Sequence, residues 1–208
     1  MDKYAFADNF KRMIPESFNI PICHFYDEVL KETKFESPYQ FSRKKAEEIG
    51  MWIERENGIR LDRSIYQKML VFGKYETSFE SPRKMMQFIG TDFLQVMYGS
   101  EYHVNVLLRK IGDKENIVVS DVRFDHEVIG LRKAGFKIIS IRRPGVESSS
   151  SGHRSENDLD GKEHLFDAVV ENNSGLDELY AKVDSLFLKL RDEYDAESRN
   201  GVEADSEI

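Results

Sequence analysis

Cysteine is almost missing from this sequence. Cys23 stands alone among 208 residues, so no disulfide can close within the chain, and a lone thiol suits a reducing compartment. Nothing else in the sequence supports Cys23 as a nucleophile, since its neighbour His24 would point the other way on a strand. No apolar run comes near the length that spans a bilayer. A signal-peptide pattern is also missing, because Asp2-Lys3-Tyr4 leads directly into AFADNFKRM. These absences predict a cytoplasmic protein with no membrane contact. Positive charge is scarce too. Lys and Arg number 30 against 38 Asp and Glu, and a net charge of -8 argues against general nucleic-acid or anionic-membrane binding. A local arginine pocket for a small phosphate ester is compatible with that balance. No internal repeats occur.

What is present fits a folded globular chain. At 40% hydrophobic and 33% charged residues, 208 residues can bury a real core. The expected organisation is one α/β domain over residues 1–191, carrying a helical insertion or lid at 35–80. From Asp192 to Ile208 apolar content falls, and six carboxylates lie between Glu193 and Glu207. That segment, 192–208, reads as an acidic disordered tail.

The chain is organised around NIVVSDVRFDHEVIGLRKAGFKIISIRRPG, Asn116 to Gly145. Ile117-Val118-Val119 is a short β-branched run of the kind found in buried parallel strands. Val128, Leu131 and Arg132 follow at helical spacing, with Gly135 as a C-cap. Phe136 to Ile141 then forms a second strand, ending in Arg142-Arg143-Pro144-Gly145. This is a βαβ pattern, and ligands in open α/β sheets bind at the carboxyl ends of the strands. Asp121, Arg123, Asp125 and Glu127 gather at one such end, Arg142 and Arg143 at the other. Acidic groups suited to a metal thus lie beside arginines suited to phosphate. An ordinary surface ion pair is the alternative reading of the Asp-x-Arg spacing, and both are open.

Upstream, Lys3 to Phe6 reads as a strand, followed by a helix from Ala7 with Asp8 as its cap. Pro15 and Pro21 punctuate the next segment, and Cys23 to Lys31 suggests a short helix. Helices are predicted at 42–56 and 62–72, stopped by Gly58 and Gly73. Phe35, Tyr39, Phe41, Trp52 and Tyr66 read there as core or lid surface. Ser81-Pro82 is a strong helix start. Met86, Ile89, Phe93 and Val96 form its core-facing stripe, with Arg83, Gln87, Gly90 and Thr91 on the adjacent one. A mid-helix glycine costs roughly 1 kcal/mol against alanine, so Gly90 implies close approach by a ligand or by a neighbouring helix. The other reading is a solvated stripe with a packing glycine. A helix over Glu101 to Lys110 leads into the central strand. Beyond Gly145 lie a Ser-rich loop, His153-Arg154-Ser155-Glu156, a last strand at Ala168 to Val170 and a helix with Leu176, Leu179, Val183, Leu186 and Leu190 on one face.

The ordered set SPRKMMQFIGTD, IVVSDVRFDHEV, IISIRRPG, HRSE and VVENNSGLDEL resembles the deoxynucleoside monophosphate kinases of tailed bacteriophages, most closely the T4-like type. The resemblance runs from about Tyr4 to Leu190, and the motifs are specific together rather than singly. It implies a P-loop-kinase-like parallel sheet flanked by helices, with ATP and Mg²⁺ used to phosphorylate a dNMP in the cytoplasm of an infected cell. It also implies roles for residues. Arg83 would hold the substrate phosphate, with Gln87, Gly90 and Thr91 lining the dNMP site. Asp121, Arg123 and Glu127 would flank the transferring phosphoryl group, Asp121 helping to organise magnesium. Arg142, Arg143 and His153 would approach from the nucleotide-lid side.

One part of the family pattern has no counterpart here. Its members open with a strand, a glycine-rich phosphate loop and a helix, all ahead of the strand that corresponds to KYAF. No G-x-x-x-x-G-K-[ST] occurs in these residues: Gly73-Lys74 is followed by Tyr75, and Gly161-Lys162 by Glu163. The expectation is a fold that lacks its first strand, phosphate loop and first helix, with a sheet edge covered by a second copy or a partner chain. Two functions follow: a dNMP kinase completed by another segment, or a non-catalytic dNMP-binding or regulatory protein.

Overall fold

The computed structural model describes residues 1–72, 77–145 and 158–204, and the side chains of these residues other than 70–72 and 197–204. The chain divides into two compact units, Met1–Ala134 and Gly135–Ile208. Among the described residues the strands form three two-stranded sheets, two parallel and one antiparallel, so the architecture is mixed α/β. The strands at 117–119 and 139–142, expected to share a sheet as a βαβ unit, each pair with another strand instead.

In the first unit, β1 (Asp2–Tyr4) pairs in parallel with β4 (Ile117–Val119), Lys3 opposite Val118. The helix α1 (Ala7–Phe18) follows β1 directly and runs through Pro15. Pro15 was expected to punctuate, but it lies buried near the helix end, and its carbonyl accepts the Asn19 and Ile20 N–H groups. Asn19 adopts the left-handed conformation, and there the helix stops. The next helix, α2, covers only Cys23–Tyr26 of the predicted Cys23–Lys31. Asp27 ends it, because Oδ1 accepts from Val29 and Leu30 N–H and folds the chain into a turn.

The insertion holds the predicted helices, α3 (Arg43–Asn57) and α4 (Arg63–Phe72), with Ser42 capping α3 and Gly58 closing it. Gly73 lies outside the described residues. Two strands frame these helices and were not expected. β2 (Tyr39–Phe41) and β3 (Thr77–Phe79) pair antiparallel, Tyr39 opposite Phe79. Three-residue strands are too short to show alternation, so their inward residues Phe41 and Phe79 read simply as aromatic core.

α5 (Pro82–Gln87) passes into a π-helical turn (Phe88–Phe93) and then α6 (Leu94–Tyr98). The turn overturns one expectation: Val96, predicted to face the core, is 50% exposed, while Leu94 and Met97 are buried. Buried residues step by four here, at Met85, Ile89, Phe93 and Met97. Three turns thus take 12 residues where an α-helix needs about 11. The extra residue rotates everything after it. The core of this unit centres on Phe41, whose ring meets Phe88 and Phe93 at 5.2 Å, with Phe79 beside Phe88 at 5.3 Å. Edge-on aromatic pairs of this kind add about 0.5–1.5 kcal/mol each beyond burial. α7 (Tyr102–Ile111) and α8 (Asp125–Lys133) pack together and complete the unit.

In the second unit, β5 (Ile139–Arg142) pairs in parallel with β6 (Ala168–Glu171). Ile138 precedes the strand because its N–H is taken by the Asp167 carboxylate at 2.7 Å. The helix α9 packs on β6 and runs from Leu176 to Ala204, so residues 192–204, expected to be disordered, are helical. Helix propagation past the packed segment explains this, since each added residue gains a bond without a new nucleus. Lys189 and Glu193, four apart at 3.8 Å, support it. Among the described residues no helix is long and apolar enough to cross a membrane.

Candidate functional site

The chain end of β4 builds the first cluster. Ser120 N–H bonds Tyr4 O at 3.2 Å, which extends the β1–β4 ladder by one rung. Asp121 then reaches the start of α1, where Oδ1 accepts Phe6 N–H at 2.7 Å and Oδ2 accepts Ala7 N–H at 2.9 Å. The first N–H groups of a helix have no partner inside it, and a carboxylate there also meets the positive end of the helix dipole. Asp8 was the expected cap; it sits in the first turn instead. The capping carboxylate comes from 115 residues away. Sequence spacing does not carry that information.

Glu127 does the same for α8. Its Oε2 accepts Arg123 N–H at 2.8 Å and Phe124 N–H at 3.0 Å, half of a capping box, since Phe124 has no side-chain acceptor to return the bond. Only 3% of Glu127 is exposed. Burial pushes its carboxyl from 4.5 up to about 7; the two N–H bonds and Arg123 pull it down, while the Asp121 charge pushes it further up. Asp121 is raised for the same first reason, burial, opposed by its two N–H bonds and by Arg123 and reinforced by Asp8. The cluster is thus two mutually repelling carboxylates, each anchored on a different helix start, moderated by Arg123. Asp125 accepts His126 N–H at 2.7 Å, and the His126 ring stacks on Phe124 at 5.1 Å.

The second cluster lies along α5 and the π-turn. Arg83, Gln87 and Thr91 are half-buried. Arg83 is engaged: Nε and Nη2 meet Glu32 Oε1 at 2.7 and 2.6 Å. Gly90 is buried, and a Cβ there would come within 3.1 Å of the Phe10 ring, so a neighbouring helix closes on this glycine. In the second unit, Arg142 pairs with Glu163 at 2.8 Å and Arg143 is exposed. His153 lies outside the described residues. A cavity of about 570 Å³ between β6 and α9, lined by Val170, Lys182 and Leu186, contains none of these groups.

Among the described residues no three His, Cys, Asp or Glu side chains gather to hold a metal. Magnesium makes small demands on protein ligands: it keeps several waters and takes one or two carboxylates plus substrate phosphates. Each Asp121 oxygen spends one acceptor position on an N–H and retains another, which suits a water of a hydrated cation. Two residues of this region were missed in the sequence, Glu32 and His103. His103 carried a weak signal, a polar ring on the apolar face of α7 between the buried Tyr102 and Val104.

The β1–β4 strand ends carry charged groups joined to helix starts within a mixed α/β architecture. The family model for deoxynucleotide monophosphate kinase matches residues 40–183, and the chain belongs to that family. It is 33% identical over 116 residues to a putative deoxynucleotide monophosphate kinase of Acanthamoeba polyphaga mimivirus, covering 50% of this chain and 59% of the relative. It is 32% identical over 108 residues to the deoxynucleotide monophosphate kinase of Enterobacteria phage T4, covering 50% of this chain and 44% of the relative. With that of Escherichia phage RB69 it shares 33% identity over 112 residues, 51% and 45% of the two chains. The chain spans about half the length of the curated relatives it matches.

Proposed function

We propose that the chain carries the monophosphate-binding and phosphoryl-facing parts of a deoxynucleoside monophosphate kinase, transferring phosphate from ATP to a dNMP to give ADP and a dNDP in an infected cell. The observation that supports this most is the Asp121–Glu127 cluster: a half-buried and a buried carboxylate with an arginine at the carboxyl end of a parallel strand. Arg83 binds the substrate phosphate after exchanging Glu32 for it, and Gln87 and Thr91 contact base or sugar. Arg142 and Arg143 are the anion-binding groups of the second unit. Phosphoryl transfer asks for positioning and charge neutralisation more than for covalent chemistry.

Magnesium, when bound, would neutralise charge on the phosphates. Asp121 would help to hold it, and Arg123 balances the two carboxylates. Glu127, near neutral pKa, holds the Arg123–Phe124 turn in place in either protonation state.

The 208 residues contain no G-x-x-x-x-G-K-[ST] pattern, and this favours a second reading. In it these residues bind dNMP without turnover on their own, the phosphate cradle coming from residues outside these 208. A phosphoryl-transfer assay with Mg-ATP and each of the four dNMPs separates the two. Turnover of roughly 1–100 s⁻¹ supports the kinase directly. Binding without turnover supports the second reading, and neither binding nor turnover refutes both.

A further inference from the structure

Phe88–Phe93 forms a π-turn, a rare element that appears mostly as a single turn inside an α-helix and frequently at functional sites. Within it Leu94 N–H, which would bond Gly90 O in an α-helix, is shared between Ile89 O and Thr91 O instead. Gly90 O has a different neighbour. The Nε2 atom of His103, on α7, lies 2.6 Å from it. A carbonyl only accepts, so Nε2 carries the proton and His103 donates. The other ring nitrogen, Nδ1, is buried with no hydrogen-bond partner, which leaves it unprotonated.

The surroundings hold His103 in this role. Phe6, Phe10 and Tyr102 surround its ring at centroid distances of 6.4, 5.8 and 5.1 Å. Phe10 also closes over the Cα of Gly90, so one aromatic ring covers both ends of the hydrogen bond. Burial pushes His103 from 6.5 down to about 4, with the Gly90 bond opposing and His126 adding to the shift. The imidazole is therefore neutral through the physiological range and its donor does not switch.

We propose that His103 is a positioning residue for the monophosphate site: its bond to Gly90 O holds the π-turn in register and so sets where Gln87 and Thr91 stand relative to Arg83. This rests on the assignment of Arg83, Gln87 and Thr91 to the dNMP site. The physical argument is that the π register differs from the α register by one residue. When Gly90 O loses its side-chain donor, the backbone donor that an α register assigns to it is Leu94 N–H. Taking it removes the extra residue and rotates the preceding face of the helix against the following one.

The test has a ligand-free arm and a binding arm. In the ligand-free arm, nitrogen-detected NMR of the wild-type histidines should show one ring protonated at Nε2, unprotonated at Nδ1 and not titrating between pH 5 and 8. In His103→Phe the Leu94 amide should shift as its acceptor changes. In the binding arm, calorimetry with the four dNMPs at pH 7 compares wild type, Arg83→Ala, His103→Phe and His103→Gln. We expect affinity to fall at least tenfold in His103→Phe. His103→Gln, whose amide nitrogen can replace Nε2, should return to within about threefold of wild type. Loss in Arg83→Ala with no change in a folded His103→Phe overturns the positioning role alone. Equal losses in the Phe and Gln variants also overturn it, because ring packing would then be the cause. No binding by the wild-type chain overturns the site assignment and the positioning role together. If His103→Phe does not fold, the ring spectrum and the Gln variant decide: a ring protonated at Nδ1, or a Gln variant tenfold weaker than wild type, counts against the proposal.

Discussion

Replacing Glu127 by glutamine should change stability in a way that depends on pH. Glutamine keeps an oxygen that can accept the Arg123 and Phe124 N–H groups, but it never carries charge. The wild-type carboxyl ionises near 4.5 when unfolded and near about 7 when folded, because burial outweighs its two hydrogen bonds and Arg123. A folded pKa raised above the unfolded one means the native state binds the extra proton, so stability falls as pH rises. The cost of ionising Glu127 is absent below about 4.5, accumulates between there and about 7, and is complete above. From pH 5 to pH 8 the wild type should therefore lose about 2–3 kcal/mol through this group alone. Glutamine loses nothing through that position. Urea unfolding of both proteins at the two pH values reads the effect as a double difference. The gap should move in favour of Glu127→Gln by about 2–3 kcal/mol on going to pH 8. A gap unchanged within about 0.5 kcal/mol would refute the reasoning, since the helix-start N–H groups and Arg123 would then already hold the carboxylate ionised at pH 5.

Other outcomes follow from the same geometry. Asp121→Ala leaves the Phe6 and Ala7 N–H groups without their acceptor and should cost about 1–3 kcal/mol in urea unfolding, with Asp121→Asn losing less. Glu32→Gln removes the carboxylate that occupies Arg83, and calorimetry should show dNMP binding tighter by about two- to fivefold, the range of an exposed ion pair. Weaker binding in that variant would mean Glu32 orients Arg83 rather than occupying it. Phe41→Ala opens a cavity at the centre of the Phe79, Phe88 and Phe93 cluster and should cost about 3–5 kcal/mol by thermal or urea unfolding.

Much of the local structure was legible because it depends on neighbours in sequence. Ser42 and Gly58 bracket α3 by capping chemistry, Ser81-Pro82 opens α5, and the apolar run of β4 marks a strand. What escaped depends on distant residues. The cap of α1 is Asp121, so Asp8, the local candidate, was named instead. Val96 was placed in the core because 3.6-residue periodicity was carried through a π-turn, and that turn has its partner, His103, on another helix. β2 and β3 escaped because a three-residue strand has no readable period and its partner is the other strand. The helix past Asp192 escaped for a different reason. Acidic composition argues against a packed core, but it does not stop a helix already nucleated upstream from continuing.

Binding of a deoxynucleoside monophosphate by α5 and the π-turn through Arg83 is proposed from these contacts. The most direct test is calorimetric titration of the chain with the four dNMPs, wild type beside Arg83→Ala, with circular dichroism to show that both are folded. The expected result is one site per chain for at least one dNMP, and loss of that binding in the variant. Equal affinity in the two proteins would contradict it.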